Sequence, residues 1–320
     1  MEFLYFVIML ENLKLGEGYD GFLFLAESAR NPPVLKPHHH VELELNVVVR
    51  GTITYVVGGR RFTFGQRALL WMFPAQEHQL VDRSDDAQNY VAVFKPGLIA
   101  AAARGVGYEG LRREQAEVDG VLSTVLEPAI FDLIRRTMEV TVADGLDGDV
   151  LNREAGFGVG SSFSFEHGDP DALNAALRHL LLLCWRCHRG GLVAQGAVAL
   201  HPGVRKALAC LGEEEWGDDL ARLGRRCGVS AAYLSRVFAR QVGVPLSRYR
   251  NSARLGRFLE LRRAGDGRTI TELVYAAGFG SYAQFYKVFV RAYGQGPRAG
   301  LSAGHGKTAA SVLMLAKAAK

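Results

Sequence analysis

The sequence contains only four cysteines among 320 residues, namely Cys184, Cys187, Cys210 and Cys227. All four fall in stretches with helical periodicity, which argues against the disulfide framework of a small secreted protein. Long apolar runs are also missing, because the opening run FLYFVIML is too short to span a bilayer. It has no basic segment before it and no small-residue cleavage site after it. We therefore expect an early β-strand in a cytoplasmic protein, not a secretory leader.

Acidic side chains are scarce in one third of the chain. Residues 201–300 hold 17 basic and 8 acidic side chains, whereas residues 1–200 hold 18 basic and 25 acidic ones. A net charge of +5 over the whole sequence hides this difference. The asymmetry predicts an anionic partner for residues 201–300 only.

The pattern of apolar residues divides the chain into regions. The runs VELELNVVVRG, TITYVVGGRRFTF and ALLWMF are interpreted as strands, with Gly58-Gly59 as a hairpin signal. After Lys95-Pro96-Gly97 the spacing becomes helical, as in VLEPAIFDLIRRTMEV and ALNAALRHLLLLCWRCHR. The predicted regions are a β-domain at 1–97, a helical dimerisation region at 98–195, a helical domain at 196–300 and a tail at 301–320.

The helical domain repeats one unit. LGRRCGVSAAYLSRVFARQVG and VYAAGFGSYAQFYKVFVRAYG each predict a short helix, a turn with glycine and a second helix. Thr269 with Glu272, and Ser281 with Gln284, have the spacing of reciprocal capping boxes, and Ser230 has the position of a simple cap. The repeat therefore predicts two helix-turn-helix units, which are typical of DNA-binding proteins.

One face of each second helix is apolar, and the segment between the two units is basic. Leu234, Val237 and Phe238 in the first unit correspond to Phe285, Val288 and Phe289 in the second. The connecting segment PLSRYRNSARLGRFLELRRAGDG predicts a longer helix. Such a helix can hold two recognition helices roughly 34 Å apart, one turn of DNA. The alternative is a helical bundle with solvated arginines.

Residues 204–298 resemble the DNA-binding domain of the AraC/XylS family of bacterial transcription regulators, through GVSxxxLSRxF and GFxSxxxFxxxF. The resemblance implies an α+β multidomain protein that acts as a dimer and mostly activates by recruiting RNA polymerase. It places base contacts on Ala232, Ser235, Arg236, Tyr282, Ala283, Tyr286 and Lys287. Arg240 and Arg291 lie on the same faces, where phosphate contact is expected for Arg240. Gly300 and Leu301 depart from the family's tyrosine-arginine pair.

The same resemblance implies an amino-terminal β-barrel sensor. His38, His40 and Glu44 in PHHHVELELNVVVRG, followed by Gly51, resemble the first motif of the cupins. The second motif is incomplete between Pro74 and His78. We predict a metal-free effector pocket that suits a sugar or another small hydroxylated metabolite, lined by His38, His40, Glu44, Trp71 and His78.

Two alternatives belong to other functional classes. Three histidines and a glutamate suit a first-row metal, so His38, His40, Glu44 and His78 are also candidate ligands of a metal-dependent cupin isomerase or dioxygenase. The incomplete second motif disfavours that enzyme, and we predict no catalysis and no cofactor. An architectural DNA-binding protein would leave the β-domain unexplained.

The pair Cys184 and Cys187, followed by His188, has the spacing of a metal or redox motif. No second pair lies near, and the stretch continues a helical pattern, so we predict core residues. Together with IFDLIRRTMEV, this helix is predicted to form the contact between two subunits of a homodimer.

Overall fold

Eleven strands build two sheets in the computed structural model, which describes residues 9–10, 13, 15–27, 37–115, 120–143, 167–188, 198–212, 219–265, 267–293 and 296–302. They are β1 (Met9–Leu10), β2 (Gly21–Glu27), β3 (His38–His39), β4 (Leu43–Arg50), β5 (Ile53–Val57), β6 (Arg60–Phe64), β7 (Ala68–Met72), β8 (His78–Arg83), β9 (Gln88–Phe94), β10 (Leu122–Val125) and β11 (Val198–Ala199). The predicted early strand falls mostly outside the described residues, which include only its end at β1.

The first sheet has the strand order β1-β3-β8-β5-β6-β11, and the second has the order β10-β7-β4-β9-β2. Gly58 and Gly59 join β5 to β6 with φ angles of 55° and 72°. Two consecutive positive φ angles define the tight turn that suits the twist of a hairpin. The predicted hairpin is therefore confirmed.

Strand β4 shows how the alternating sequence builds a sheet with two covered faces. Leu43 and Leu45 point to a core on the outer side of the second sheet, whereas Val48 points to the core between the sheets. Glu44 and Asn46 lie on this inner side, where they contact polar side chains of neighbouring segments. Because side chains alternate along a strand, one sequence supplies both cores.

Helices cover the outer face of the second sheet. They are α1 (Pro96–Ala102), α2 (Pro128–Ala143) and α3 (Pro170–His188), and a 3₁₀ turn lies at Glu109–Arg112. Ile134 of α2 and Leu177 of α3 are fully buried in the same core as Leu45.

The predicted helical region at 98–195 needs two corrections. Its residues Leu122–Val125 form a strand that pairs with β7, so the region also contributes to the sheet. The apolar faces of α2 and α3 contact the sheet of their own chain. These faces are therefore buried within one chain, so a contact between two subunits would have to use other residues of α2 and α3.

The described part of residues 202–302 is helical, as predicted, and the overall class is α+β. Its helices are α4 (Pro202–Gly212), α5 (Leu220–Arg226), α6 (Ala231–Val242), α7 (Leu246–Ala264), α8 (Ile270–Ala276), α9 (Tyr282–Tyr293) and α10 (Pro297–Ser302). Helices α5 and α6 form the first helix-turn-helix unit, and α8 and α9 form the second.

Helix α7 is shared by the two units. Leu246 and Tyr249 near its start belong to the core of the first unit, whereas Leu255 and Phe258 belong to the core of the second. Its 19 residues span about 28 Å at 1.5 Å per residue. Because one rigid helix enters both cores, it fixes the distance between the two units.

The first unit packs directly on the outer face of the first sheet. Val56 of β5 and Val81 of β8 are buried in the same core as Val204, Leu234 and Phe238. Strand β11, which immediately precedes α4, pairs antiparallel with β6. The predicted domain boundary at residue 196 lies outside the described residues, and the residues from Val198 onward belong to a sheet and a core that both parts of the chain share.

The two helix-turn-helix units repeat the same backbone hydrogen bonds. In the first turn, the amides of Cys227, Gly228 and Val229 donate to carbonyls of Leu223, Arg225 and Gly224. In the second turn, residues 277, 278 and 279 donate in the same order to residues 273, 275 and 274. Gly228 and Gly278 have φ angles of 72° and 84°, which only glycine adopts without strain.

The predicted helix starts are correct at two positions and partly correct at a third. Thr269 and Glu272 form the reciprocal capping box, and the Ser230 hydroxyl accepts from the Tyr233 amide at 3.2 Å. Ser281 accepts from the Gln284 amide at 3.1 Å, but the Gln284 side chain accepts from the Gly280 amide instead of returning to Ser281. Helix α9 therefore begins with only one of the two hydrogen bonds of a capping box.

Gly224 allows the close approach of α5 to the start of α6, so Gly224→Ala is expected to lower the free energy of unfolding by about 1–3 kcal/mol. A Cβ at this position would lie 2.8 Å from the Val229 carbonyl oxygen and 2.9 Å from the Ala231 nitrogen. Gly97→Ala in α1 is the control, since its Cβ would meet nothing within 4 Å. Urea unfolding should show a loss for the first variant only, and equal effects would contradict this packing.

Among the described residues, every helix is too short or too polar to cross a membrane.

Candidate functional site

Three buried histidines meet inside the β-domain. His38 on β3 and His78 on β8 are direct partners across the first sheet, and His40 follows β3 by one residue. One ligand atom from each ring lies within 4.8 Å of the other two, and the three residues are at most 4% exposed. The structure therefore brings together the three histidines that the sequence could only predict to converge.

Glu44 lies against the same cluster. Its Oε2 is 3.2 Å from His40 Nε2 and 3.7 Å from His78 Nε2, while its Oε1 accepts a 2.6 Å hydrogen bond from the Asn46 side chain. Burial alone would raise the pKa of the Glu44 carboxyl. The hydrogen bond from His40 and the positive charges of His40 and His78 outweigh burial and hold this pKa well below its ordinary value.

The backbone fixes the orientation of two of the rings. His40 Nδ1 lies 2.9 Å from the Glu42 carbonyl oxygen, and His78 Nδ1 lies 2.9 Å from the Gln76 carbonyl oxygen. A carbonyl oxygen only accepts, so both Nδ1 atoms carry the hydrogen. Nε2 of each ring therefore faces the Glu44 carboxylate.

Sequence reasoning missed the polar residues that continue this cluster across the interior. Asn46 accepts hydrogen bonds from the Asn89 amide at 2.9 Å and from the Tyr55 hydroxyl at 3.4 Å. Burial, with the nearby Glu44 carboxylate, raises the pKa of Tyr55, and burial lowers the pKa of Arg83 close by. The sequence could have indicated Asn46 through the alternation of side chains along a strand. Asn46 stands two residues after Glu44 and therefore lies on the same side of β4.

Trp71 does not belong to the histidine cluster, which corrects the prediction. It is paired with Leu45 across the second sheet, so its side chain lies on the outer face, opposite to Glu44. Its ring is fully buried and packs against Phe94 and Trp185, with centroids at 6.3 Å and 5.6 Å. A shift of one residue in strand pairing moves a side chain to the other face of the sheet. The sequence alone does not determine the register of β7, so it could not place Trp71.

A cavity of about 520 Å³ opens beside the cluster. His40 contributes to its wall, together with Ile99 of α1 and with Leu111 and Arg112 of the 3₁₀ turn. The wall thus combines an apolar surface with a few polar groups, which is the usual composition of a small-molecule site.

Helix α6 presents its polar face to solvent. Leu234, Val237 and Phe238 are buried as predicted, whereas Ala232, Arg236 and Arg240 are exposed. Ser235 is only half-exposed, and it lines a small groove beside α7. The arginines thus dominate the accessible face of this helix.

Helix α9 has the same arrangement with larger side chains. Phe285 and Phe289 are buried, while Val288 is partly buried. The predicted contact residues are all exposed: Tyr282, Ala283, Tyr286, Lys287 and Arg291. Tyr282 and Tyr286 are 40% and 47% exposed, so both rings are accessible to a partner.

Cys184 lies in the core between α3 and the second sheet, as its helical context predicted. Burial raises the pKa of its thiol, so the side chain behaves as a small apolar residue. Cys187 is half-buried at the edge of the same core.

Comparison with known families gives one match for each part of the fold. The AraC-like ligand binding domain matches residues 22–140, and a helix-turn-helix domain matches residues 223–301. The first match covers the histidine cluster, and the second covers both recognition helices. No curated protein sequence matches the chain.

Three solved structures that match this chain have low sequence identity and low TM-scores. An apo form of a ToxT variant from Vibrio cholerae strain SCE256 is 11% identical, covers 92% of this chain and 98% of its own, and has a TM-score of 0.33. Unsaturated fatty acid-bound ToxT from that strain is 12% identical, covers 87% and 92%, and has a TM-score of 0.30. The AraC-like transcriptional activator CuxR is 13% identical, covers 80% and 78%, and has a TM-score of 0.28.

Proposed function

The chain is a member of the AraC family of transcription regulators, and from this premise we propose that it activates transcription from promoter DNA in response to a small-molecule effector. It is a DNA-binding regulator with a ligand-binding domain, not an enzyme. We further propose that it acts in the cytoplasm and contacts RNA polymerase at its promoters. The family resemblance of the two helix-turn-helix units supports both proposals.

The observation that carries the DNA-binding proposal is the repeated exposure of one polar helix face. Each unit buries the apolar side of its second helix and leaves the opposite side open. The helix α7 between them enters both cores, so the two open faces belong to one rigid body. A protein with this arrangement can contact two successive stretches of major groove.

Individual roles follow from side-chain chemistry. We propose that Arg236 supplies most base contacts of the first unit, because Ala232 is small and Ser235 is half covered. In the second unit, Lys287 can donate to base edges, and Tyr282, Ala283 and Tyr286 can contact bases through apolar atoms. Arg240 and Arg291 lie one turn further along their helices and suit phosphate contacts.

The effector is proposed to bind at the histidine cluster and the adjoining cavity. The groups that support this assignment are His38, His40, Glu44 and His78, which are buried polar side chains beside an accessible cavity. A sugar or another hydroxylated metabolite offers matching hydrogen-bond donors and acceptors. A double His38→Ala, His78→Ala variant that still responds to the effector with wild-type affinity would contradict this assignment.

Strand β8 connects the proposed effector site to the first DNA-binding unit. His78 points to the inside of the β-domain, and the next residue, Gln79, points to the outside. The buried Gln79 side chain donates a hydrogen bond to the Tyr249 hydroxyl on α7. Suppose that β8 has two placements and that the effector binds one of them more tightly. Binding of the effector would then also change how α7 packs against the first sheet.

Tyr249→Phe is expected to lower the free energy of unfolding by about 1–3 kcal/mol, because it leaves the buried Gln79 amide without its partner. We also expect the β-domain and the first unit to unfold less cooperatively with each other, since the contact joins them. Tyr275→Phe is the matched control, because this ring is 55% exposed. Calorimetry that finds the same loss in both variants would contradict the role of the contact.

We also propose a homodimer, which forms through a different surface of α2 from the one predicted from the sequence. Leu133 and Val140 of α2 are 49% and 67% exposed and lie two helical turns apart on the solvent side. This strip can contact a second copy after the buried faces have packed on the sheet. Light scattering should find a dimer that Leu133→Asp dissociates, and a monomeric wild type at micromolar concentration would contradict it.

A further inference from the structure

We propose that Arg250 and Arg254 on α7 bind phosphates of the DNA backbone between the two stretches of major groove that α6 and α9 occupy. Both residues stand on one face of α7, together with Ser247 and Asn251, and we call it the bridging face. The inference rests on the proposed function, because it takes both recognition helices to lie in the major groove. It adds a third contact, which holds the duplex without reading its bases.

The bridging face lies between the two recognition helices. Its four residues follow the spacing i, i+3, i+4 and i+7, so they share one side of α7. Ser247 and Arg250 line a groove of about 150 Å³ together with Ser235 of α6. Further along, the Asn251 side-chain oxygen accepts a 3.0 Å hydrogen bond from the Gln284 side chain of α9. One end of the bridging face thus borders α6, and the other end contacts α9.

The DNA opposite the bridging face is a minor groove with the two backbones beside it. Recognition helices that enter one side of a duplex about one turn apart are separated by a single minor groove. Helix α7 joins these helices and spans about 28 Å, compared with roughly 34 Å for one turn of DNA. Duplex DNA carries one negative charge per about 1.7 Å of its axis. Phosphates are therefore the DNA groups nearest to the middle of α7.

The bridging face and both recognition helices carry positive charge without acidic side chains. Residues 231–242, 246–259 and 282–293, which include α6, α9 and most of α7, contain no aspartate and no glutamate. Arg250 and Arg254 are one helical turn apart. Burial, together with the positive charge of Arg250, lowers the pKa of the Arg254 guanidinium. A surface with this charge favours an anionic partner.

Arg254 is oriented by a neighbour but forms no ion pair within the described part of the chain. Its Nη1 donates to the Asn251 oxygen at 3.4 Å, whereas its Nε is buried and has no hydrogen-bond partner there. Arg257, one turn further along α7, differs because it lies 3.6 Å from Glu260. A buried donor without a partner costs free energy, so its presence needs a physical reason. A phosphate that binds two nitrogens of the guanidinium, after a small rotation of the side chain, would supply the partner of Nε.

The test measures DNA affinity of the full chain at several salt concentrations, for the wild type and for an Arg250→Gln, Arg254→Gln variant. Each phosphate contact adds about 0.9 to the slope of log K against log salt, so this slope should fall by roughly 1.8 in the variant. At about 0.1 M salt, affinity should fall on the order of 50-fold. The loss should be equal on the binding sequence and on unrelated duplexes, because phosphates do not identify the base.

Two further variants separate loss of the contact from loss of charge or of packing. Arg250→Lys, Arg254→Lys keeps the charge and should restore most of the salt slope, whereas a role in packing alone would not be restored. Arg178→Gln, Arg186→Gln removes the same charge from exposed positions on α3 and should leave the slope unchanged. Circular dichroism checks that every variant is folded.

A change in the DNA locates the contact. Neutral methylphosphonates replace the phosphates midway between the two groups of base contacts in the binding sequence. The wild type should bind this duplex on the order of 50-fold more weakly than the natural one at about 0.1 M salt. The Arg250→Gln, Arg254→Gln variant should bind both duplexes equally, because the partners of these phosphates are already missing.

The results can support or overturn the proposal without ambiguity. An unchanged salt slope in the glutamine variant overturns it, and so does a wild type that tolerates the neutral phosphates. If the neutral phosphates weaken both proteins equally, other residues bind them, and the proposal is again wrong. A glutamine variant that keeps both its base preference and its salt slope refutes only this inference. Absence of base preference in the wild type refutes the proposed function, and the inference with it.

Discussion

Replacing Phe285 with alanine is expected to lower the free energy of unfolding by about 3–5 kcal/mol. This ring is fully buried at the centre of the second helix-turn-helix unit. Its centroid lies 4.5 Å from that of Phe258 on α7 and 5.4 Å from that of Phe279 in the turn. The variant would therefore lose contacts with the connecting helix and with the turn at once, and the remaining side chains cannot fill the space.

A neighbour on the same helix is the control for this prediction. Tyr286 is 47% exposed, so Tyr286→Ala should change stability by no more than about 0.5 kcal/mol while it weakens DNA binding. Chemical denaturation and DNA titration of both variants separate the two roles. A stable Phe285→Ala protein, or a strongly destabilised Tyr286→Ala protein, would show that the buried and exposed faces of α9 have been assigned wrongly.

The double variant Arg236→Ala, Lys287→Ala is expected to lose about 2–6 kcal/mol of discrimination between its binding sequence and other DNA. Each side chain is exposed on a different recognition helix, and one good base contact contributes about 1–3 kcal/mol. The two side chains lie on separate helix-turn-helix units, so the losses should add. Affinity for the binding sequence should approach the affinity for unrelated duplexes.

Loss of positive charge alone would also weaken DNA binding, and a matched variant separates the two effects. Arg178 and Arg186 are exposed on α3, in the part of the chain that covers the second sheet. Alanine at both removes the same charge but should leave sequence discrimination intact. If this control loses as much discrimination as the double variant, the assigned recognition faces are wrong.

The sequence predicts the DNA-binding part better than the sensor. Helix-turn-helix units depend on local signals, such as the caps at Ser230 and Thr269 and the glycines at 228 and 278, and these signals are strong. The exposed residues Arg236 and Lys287 could therefore be placed from helical periodicity alone.

The sensor depends on pairing between distant strands, which local patterns do not determine. His38 and His78 were predicted to converge only through a resemblance, and their direct pairing across β3 and β8 appears in the structure. Trp71 was assigned to the wrong face, because nothing in ALLWMF tells which of its apolar residues point inward. The packing of the first unit on β5 and β8 had no sequence signal, since Val56 and Val81 resemble ordinary strand residues.

The most direct test of the account is the base preference of the full-length protein, measured by selection from random DNA duplexes. We predict two groups of base pairs with a clear base preference, about one helical turn of DNA apart. Arg236→Ala should weaken the preference in one group, and Lys287→Ala should weaken it in the other. Selection of a single group, or of no sequence at all, would contradict the claim that both helix-turn-helix units read DNA.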